Sequence, residues 1–162
     1  MLTVNRLRVL LTYDTETGVF RWRERVGKKV RVGDVAGSVD HEEYILIGID
    51  YRRYKAHRLA WLYVHGQWPV GQLDHINGNP QDNRISNLRE ATSRLNQENK
   101  RRGSKTSNTG VLGVSRQSGS KTFTAQITVA GKQIYLGSFA TTKDAHEAYV
   151  RAKRKYHEGN TL

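Results

Sequence analysis

Residues 73–99 read LDHINGNPQDNRISNLREATSRLNQEN, and four polar residues in this stretch predict both its fold and its chemistry. Asp74 stands next to His75, and Asn87 and Asn96 follow twelve and nine residues further along. A carboxylate can ligate a hard divalent cation, an imidazole can act as a base near neutral pH, and amides can orient or ligate. In a strongly basic chain, this set contains the groups that hydrolysis of a phosphodiester requires.

The same stretch predicts two strands followed by a helix. Gln72 to His75 is interpreted as the end of a strand, and Asn77-Gly78-Asn79-Pro80 as a turn. Arg84-Ile85-Ser86 is predicted to be the short return strand, and a helix is predicted from Thr92 onward. The expected order of elements is therefore β-β-α.

A β-β-α unit is expected to fold its hairpin onto its helix and to bring Asp74, His75 and Asn96 together. A hard divalent cation would then lie between oxygens of Asp74 and Asn96, with positions left for a phosphate oxygen and water. Adjacent strand residues face opposite ways, so Asp74 and His75 must flank the site at a distorted strand end. Asn99 lies one helical turn beyond Asn96, and spacing alone leaves it open as an alternative ligand.

The charge of the chain predicts a polyanionic partner. Lys and Arg number 27 against 15 Asp and Glu, a formal net charge of +12, and duplex DNA carries a dense row of phosphates. No apolar run is long enough to span a membrane, and the first residues are not typical of a signal peptide. The absence of cysteine excludes disulfides and cysteine-based zinc sites. We expect an intracellular protein that is not secreted and that acts on neither a membrane nor a small molecule.

The charge is distributed unevenly, which indicates two functional units. Residues 1–100 carry 16 basic and 12 acidic side chains (+4), and residues 101–162 carry 11 and 3 (+8). Residues 101–110 are basic, rich in turn formers and free of apolar side chains, as is typical of a linker.

The first unit is predicted to contain a small antiparallel sheet with a helix packed on it. Residues Gly18 to Arg23 alternate aromatic and basic side chains, and Tyr44 to Ile49 form a β-rich run. A helix-length apolar pattern runs from Lys55 to His65 and is closed by Gly66. His57, at the start of this helix, is interpreted as a hydrogen-bonded structural residue.

The second unit is predicted to be a three-stranded antiparallel sheet packed on one helix. The strands are expected at Leu112 to Arg116, Phe123 to Val129 and Gln133 to Leu136, because apolar and polar residues alternate there. The helix is expected to start at Thr141 or Thr142 and to turn its apolar residues to the sheet: Ala145, Ala148, Tyr149, Ala152 and Tyr156. The fold class of the whole chain is therefore α+β.

The motifs DHINGN, NRISNLR and LNQEN resemble the HNH endonuclease motif of phage-type homing enzymes, in the variant with asparagine last. YDTETGVFRW and AHRLAWLYVHGQWP extend the resemblance over residues 8–100. It implies a ββα-metal fold, with an HNH domain at 1–100 whose core is about 70–100, and cleavage of double-stranded DNA. It also implies a divalent metal ion, Mg²⁺ with Mn²⁺ as the alternative.

The resemblance assigns a role to each of the four polar residues. It implies that His75 is the general base, that Asp74 and Asn96 hold the metal, and that Asn87 fixes the loop that orients His75. It favours Asn96 over Asn99 as the ligand. The expected phosphate contacts near this motif are Arg84, Arg89 and Arg94.

Residues 110–157, with GVLGVSRQ, KTFTAQITV and KQIYLGSFATTKDAHEAYVRA, resemble the ethylene-response-factor (Apetala-type) DNA-binding domain of plants. The resemblance implies a module at 111–162 whose sheet enters the major groove. The β alternation predicts which side chains face the DNA: Ser115, Gln117, Thr124, Gln126, Thr128, Gln133 and Tyr135. Phosphate anchors are expected at Arg116, Lys121, Lys132 and Arg151. The arginines that read guanine in plants are replaced, so the plant target sequence does not carry over.

The main hypothesis is a monomeric, freestanding homing-type endonuclease that nicks or cuts double-stranded DNA in the cytoplasm of a phage-infected bacterial cell. The alternative is a non-cleaving DNA-binding regulator with a vestigial HNH fold. Retention of all four motif residues favours the enzyme. Structure-selective or RNA-directed cleavage is a third hypothesis, although a major-groove reader suits RNA poorly. Deletion of residues 103–162 is expected to weaken binding and to leave residual nicking.

Overall fold

The computed structural model describes residues 1–101, 103 and 107–161 of the chain. It is a mixed α/β structure with several small sheets, and it forms two compact units, Met1–Thr92 and Ser93–Leu162. The predicted boundary at residue 100 and the linker at 101–110 stay predictions, and part of that linker lies outside the described residues. No helix in the described part of the chain has the length and apolar character that a membrane span needs.

The first unit opens with a helix and a hairpin. Helix α1 (Val4–Leu10) is followed by strands β1 (Leu11–Tyr13) and β2 (Phe20–Trp22), which pair antiparallel. Phe20 and Trp22 are buried and Arg21 between them is exposed, as the alternation predicts. This hairpin therefore contributes an apolar face to the core.

A second sheet supports the main helix of the first unit. Strands β3 (Ser38–Val39), β4 (Ile45–Ile49) and β5 (Arg52–Lys55) are antiparallel and lie in that order. The expected single sheet is thus two sheets, because the β1-β2 hairpin and the β3-β4-β5 meander do not share a ladder. Helix α2 (Ala56–His65) packs on β4 and β5 and ends at a left-handed Gly66 with φ 75°. Fully buried side chains at its core include Leu7, Leu11, Ile47 and Leu59.

The first unit closes with a two-stranded hairpin. Strand β6 (Gln72–His75) pairs antiparallel with β7 (Leu88–Ala91). The return strand therefore begins at Leu88, and the prediction of a strand at Arg84-Ile85-Ser86 is wrong. Residues Ile85–Asn87 form a 3₁₀ turn instead. The physical reason is local: the Asp82 carboxylate accepts the backbone N–H of Arg84, and the N–H of Asn87 returns to the carbonyl of Arg84.

The second unit contains helix α3 (Ser93–Glu98), a three-stranded sheet and a long helix. Strands β8 (Val114–Ser115), β9 (Phe123–Val129) and β10 (Lys132–Phe139) are antiparallel, with β9 in the middle. The chain thus has strand, strand and helix in the predicted order at β6, β7 and α3. It also has the predicted three-stranded sheet, with β9 at the predicted bounds.

Helix α4 (Thr142–Tyr156) covers one face of this sheet. The hydroxyl of Thr141 caps it by accepting the backbone N–H of Asp144 at 3.1 Å, so the predicted start is confirmed. Three alanines let the helix approach closely, and a Cβ at Gly113 would overlap the buried ring of Tyr149. One expectation about the apolar face of this helix is wrong: Tyr156 is 39% exposed.

Candidate active site

The Asp74-His75 pair lies at the last two residues of β6, and both residues are buried, at 7% and 6% exposure. Their neighbours on β7 are Arg89 and Leu88. The strand stops there because the chain turns at once: the N–H of Gly78 donates to the carbonyl of His75 at 2.8 Å, and Gly78 has φ 69°. The carboxylate and the imidazole therefore occupy a strand end, as expected if two adjacent residues are to flank one site.

The ring of His75 faces the amide of Asn83, a residue only 1% exposed. Nε2 lies 3.4 Å from Asn83 Oδ1, a long hydrogen bond, while Asn83 Nδ2 donates to the carbonyl of Gln81 at 3.1 Å. An amide oxygen turned to the ring fits the tautomer in which Nε2 carries the proton and Nδ1 carries the lone pair. Burial lowers the pKa of His75 below its ordinary value, although Asn83 and Asp74 oppose the shift. The imidazole is therefore neutral at pH 7 and able to accept a proton.

Asn87 ties together the loop that follows His75. Its Oδ1 accepts the backbone N–H of Asn77 at 2.9 Å, and its Nδ2 donates to Asn77 Oδ1 at 3.0 Å and to the carbonyl of Asp82 at 2.8 Å. Asn87 is 6% exposed, and the three bonds are partly buried. Its side chain thus fixes the loop at two places, five residues apart. The role that the resemblance implies for Asn87 stays a prediction, and this geometry is what such a role needs.

The β1-β2 hairpin contacts the loop that contains Asn83. The hydroxyl of Tyr13 donates to the carbonyl of Asn83 at 2.7 Å, and burial raises the pKa of Tyr13 to about 12. Gly18, with φ 71°, lies so close that a Cβ there would meet the backbone of Asn83 and Arg84. The residue that faces His75 is therefore positioned partly by the first hairpin, a relationship that sequence spacing could not reveal.

His57 is part of this site. Its ring meets the ring of His75 edge to face, and the ring of Tyr44 lies 5.3 Å from it. Nδ1 of His57 is buried and has no hydrogen-bond partner among the described residues. The expectation that His57 is a hydrogen-bonded structural residue is therefore not met at this nitrogen. Burial, and then His75, lowers the pKa of His57 to about 3.

The three arginines expected to contact phosphate each form an ion pair within the chain. Arg89 binds Asp74 Oδ2 through Nη2 at 2.8 Å and Nε at 2.9 Å. Arg84 forms a bidentate pair with Asp82, at 2.8 and 2.6 Å, and Arg94 binds Glu98 at 2.8 Å. Their contact with DNA stays a prediction. The Arg89-Asp74 pair follows from the β6-β7 register, which the misplaced return strand concealed.

The residues fit a hard divalent cation in the chemistry of their donors. Asp74 offers a carboxylate and Asn96 an amide oxygen, the ligand types that Mg²⁺ and Mn²⁺ prefer. Asn96 lies on α3 in the second unit, and joint ligation with Asp74 stays a prediction. Asn99 is 3% exposed and its Oδ1 accepts the hydroxyl of Thr161 at 2.7 Å, and the choice between Asn96 and Asn99 as the ligand stays a prediction. In the described ranges, no three His, Asp or Glu residues gather as a metal-binding group.

The second unit gathers most of the side chains predicted to read DNA on one face of its sheet, opposite the buried Ala125 and Ile127. Cross-strand pairs join Thr124 to Ser115, Gln126 to Tyr135 and Thr128 to Gln133, and we call these six residues the polar face. A bulge between Tyr135 and Gly137 adds Ser138, which the alternation missed. Gln117 lies beyond β8, outside the strands, and the predicted phosphate anchors are all exposed: Arg116, Lys121, Lys132 and Arg151.

A cleft of about 580 Å³ lies within the second unit. Gln126, Thr128 and Gln133 of the polar face line it, together with Arg94 and Gln97 of α3. Its lining also contains the Glu98 carboxylate and apolar side chains such as Leu112 and Ile127, so it is mixed in character.

Residues 54–98 match a protein-family model described as HNH endonuclease. The match runs from the end of β5 through α2, the β6-β7 hairpin and α3, and it contains Asp74, His75, Asn87 and Asn96. An HNH endonuclease family domain in this range suggests a nuclease or DNA-binding function. The chain matches none of the curated proteins and none of the solved structures.

Proposed function

We propose that the chain is a metal-dependent DNA endonuclease that hydrolyses phosphodiester bonds by nicking or double-strand cleavage. The observation that carries the proposal is the buried Asp74-His75 pair at the end of β6, inside a range that matches the HNH endonuclease family. A neutral imidazole beside a carboxylate is suited to proton transfer at pH 7.

His75 acts as the general base in this proposal. Its Nδ1 accepts the proton of the water that attacks phosphorus, while Nε2 remains on the side of Asn83. Because Asn87 fixes the loop between Asn77 and Asp82, it is a positioning residue that keeps Asn83 against the ring. The edge of His57 limits rotation of the same ring from the other side.

Asp74 and Asn96 are the proposed ligands of the cation, by resemblance to the HNH family. The bound cation would stabilise the negative charge that develops on the phosphate and the leaving oxygen. Arg89 holds one oxygen of Asp74 and thereby fixes the direction of the carboxylate. Mg²⁺ is the proposed ion and Mn²⁺ the alternative.

Target binding is assigned to the polar face. Its glutamines can bond adenine edges in the major groove, and Lys132, Arg116 and Lys121 can neutralise phosphates around it. Arg151 lies on α4, which covers the other face of the sheet, and is not assigned to this surface. The resemblance to the ethylene-response-factor type and the net charge of +12 support this assignment. We propose double-stranded DNA as the partner, a monomeric state, and a phage-infected bacterial cell as the setting.

One observation favours the alternative of a non-cleaving DNA-binding regulator. The Arg89 guanidinium already neutralises Asp74, the proposed ligand. Arg89 would therefore compete with a cation for Oδ2 of Asp74. The two functions differ in a single outcome: a regulator binds a DNA duplex and leaves a supercoiled plasmid intact in the presence of Mg²⁺.

The test is a nicking assay on supercoiled plasmid. Relaxation of the plasmid in Mg²⁺, its loss with chelator and its loss in His75→Ala would support the proposal. His41→Ala is the matched control, because His41 is exposed and lies outside the site. A fully active His75→Ala protein would refute the assigned base. Binding of a duplex without nicking, by the unaltered chain, would favour the regulator.

A further inference from the structure

The segment 157–161, which we call the clasp, packs directly against α3 in the second unit. Gly159 is buried, and a Cβ built on it would lie 2.5 Å from the carbonyl oxygen of Leu95 and 3.0 Å from the Cβ of Glu98. Only glycine permits so close an approach of two backbones. The clasp and α3 are therefore in contact along one turn of the helix that carries Asn96.

A buried carboxylate joins the clasp to α3. Glu98 is 6% exposed, and its Oε2 accepts the backbone N–H of Gly159 at 3.0 Å while its Oε1 accepts Nε of Arg94 at 2.8 Å. Hydrogen bonds to a buried charged group are among the stronger ones in proteins. Glu98 is thus held from the clasp on one side and from its own helix on the other.

A second connection runs through the hydroxyl of Thr161. Arg101 Nη2 donates to this hydroxyl at 2.6 Å and to the carbonyl of Thr161 at 2.9 Å, and the hydroxyl donates to Asn99 Oδ1 at 2.7 Å. The amino group of Lys153, which is 1% exposed, also donates to the carbonyl of Lys100. The end of α3 is therefore secured to both the clasp and α4.

The clasp is anchored to the sheet at its other end. Nε2 of His157 donates to the backbone carbonyl of Thr128 on β9 at 2.9 Å. Thr128 belongs to the polar face, and its pair across β10 is Gln133. A continuous series of contacts thus leads from the proposed DNA-reading strand through the clasp to α3.

We infer that the clasp is the positioning element for α3 and, through it, for Asn96. The inference rests on the proposed function, in which Asn96 ligates the cation. An isolated six-residue helix is too short to persist in water, so α3 depends on contacts of this kind for its order. In consequence, a protein lacking residues 103–162 loses nicking along with DNA binding, contrary to the residual nicking that the sequence suggests.

Two pairs of variants in the full chain test the clasp. Gly159→Ala forces the clasp away from Leu95, and Gly27→Ala is its control because a Cβ at Gly27 meets nothing within 4 Å. Thr161→Val removes the shared hydroxyl with little change of shape, and Thr161→Ser retains the hydroxyl. The measurements are amide hydrogen exchange across the chain, affinity for a fluorescent DNA duplex, and kcat and KM for plasmid nicking in Mg²⁺.

Gly159→Ala and Thr161→Val should each speed exchange of residues 93–99 by about tenfold, leave β9 and β10 protected, and lower kcat by about tenfold with duplex affinity and KM within about twofold. Thr161→Ser and Gly27→Ala should match the unaltered chain. Unchanged exchange at 93–99, or a fall in kcat that merely follows lost duplex affinity, would overturn the inference. If exchange changes as expected but the unaltered chain never nicks DNA, the clasp is supported as the holder of α3, and the proposed nuclease function is what fails.

Discussion

The ring of His57 meets the ring of His75 edge to face, with 4.9 Å between centroids and 82° between planes. One histidine begins α2 and the other ends β6, so the contact joins two elements of the first unit. Both rings are buried, and burial lowers the pKa of each. This pair should make the first unit sensitive to acid.

The first prediction concerns stability against pH. His57 titrates near pH 6.5 when unfolded and near pH 3 when folded, so the unfolded chain binds the extra proton between these values and stability falls as pH falls. From pH 6.5 to 5 the loss should be about 2 kcal/mol, at about 1.4 kcal/mol per pH unit. Urea unfolding at several pH values measures it. His57→Gln should flatten the dependence and His41→Gln should not; equal slopes in all three proteins would contradict the prediction.

The second prediction concerns Asn87. Asn87→Ala removes three buried hydrogen bonds and should lower the free energy of unfolding by about 1–3 kcal/mol. Because Asn87 positions the loop and does not contact DNA in the proposal, kcat for nicking should fall while duplex affinity is retained. Urea unfolding, nicking and fluorescence anisotropy measure the three quantities. Asn5→Ala, at an exposed position on α1, is the control. A folded Asn87→Ala protein whose kcat equals that of the unaltered chain would contradict the positioning role of Asn87.

The third prediction concerns the pair of Arg89 and Asp74. Arg89→Ala should lower the free energy of unfolding by about 1–3 kcal/mol, because the guanidinium ion-pairs with a carboxylate that is 7% exposed. In an Asp74→Asn background the same substitution should cost much less. A double-mutant cycle by urea unfolding yields the coupling energy. A coupling near zero would mean that the ion pair contributes nothing to the β6-β7 hairpin.

The fourth prediction concerns phosphate binding by the second unit. Lys132→Ala should weaken binding to DNA duplexes of any sequence to a similar extent and reduce the slope of log affinity against log salt by about 1. Lys143→Ala is the control, because Lys143 is exposed on α4, which covers the other face of the sheet. Fluorescence anisotropy over a salt series measures both slopes. Identical slopes for the two variants would argue against the polar face as the DNA-binding surface.

Local periodicity predicted the elements that have one buried face and one exposed face. Strand β9 and helices α2 and α4 agree with their patterns because each turns one apolar face to a core, and that face is written in the local periodicity. The return strand was misplaced because hydrogen bonds from Asp82 to the following backbone outweigh the β propensity of Ile85. The bulge before Gly137 and the exposure of Tyr156 depend on tertiary contacts that no local pattern encodes.

The candidate site was predictable in its residue types and not in its contacts. The spacing and resemblance singled out Asp74 and His75, and the structure places both at a buried strand end. The contacts of His75 with Asn83 and His57 depend on how α2 and the loop pack, which is tertiary information. The ion pair of Arg89 follows from strand register, and one misplaced strand was enough to hide it.

The hydrogen bond from Tyr13 to the backbone of Asn83 has a consequence for any shortened form of this protein. A fragment trimmed to the family match at 54–98 would retain every proposed catalytic side chain and lose the phenol that props the loop beneath the imidazole. Such a fragment should unfold at a lower temperature and a lower urea concentration, and its loop should position His75 less firmly. Grafting the motif onto another scaffold would therefore call for the first hairpin and for the clasp at 157–161 as well as the motif itself.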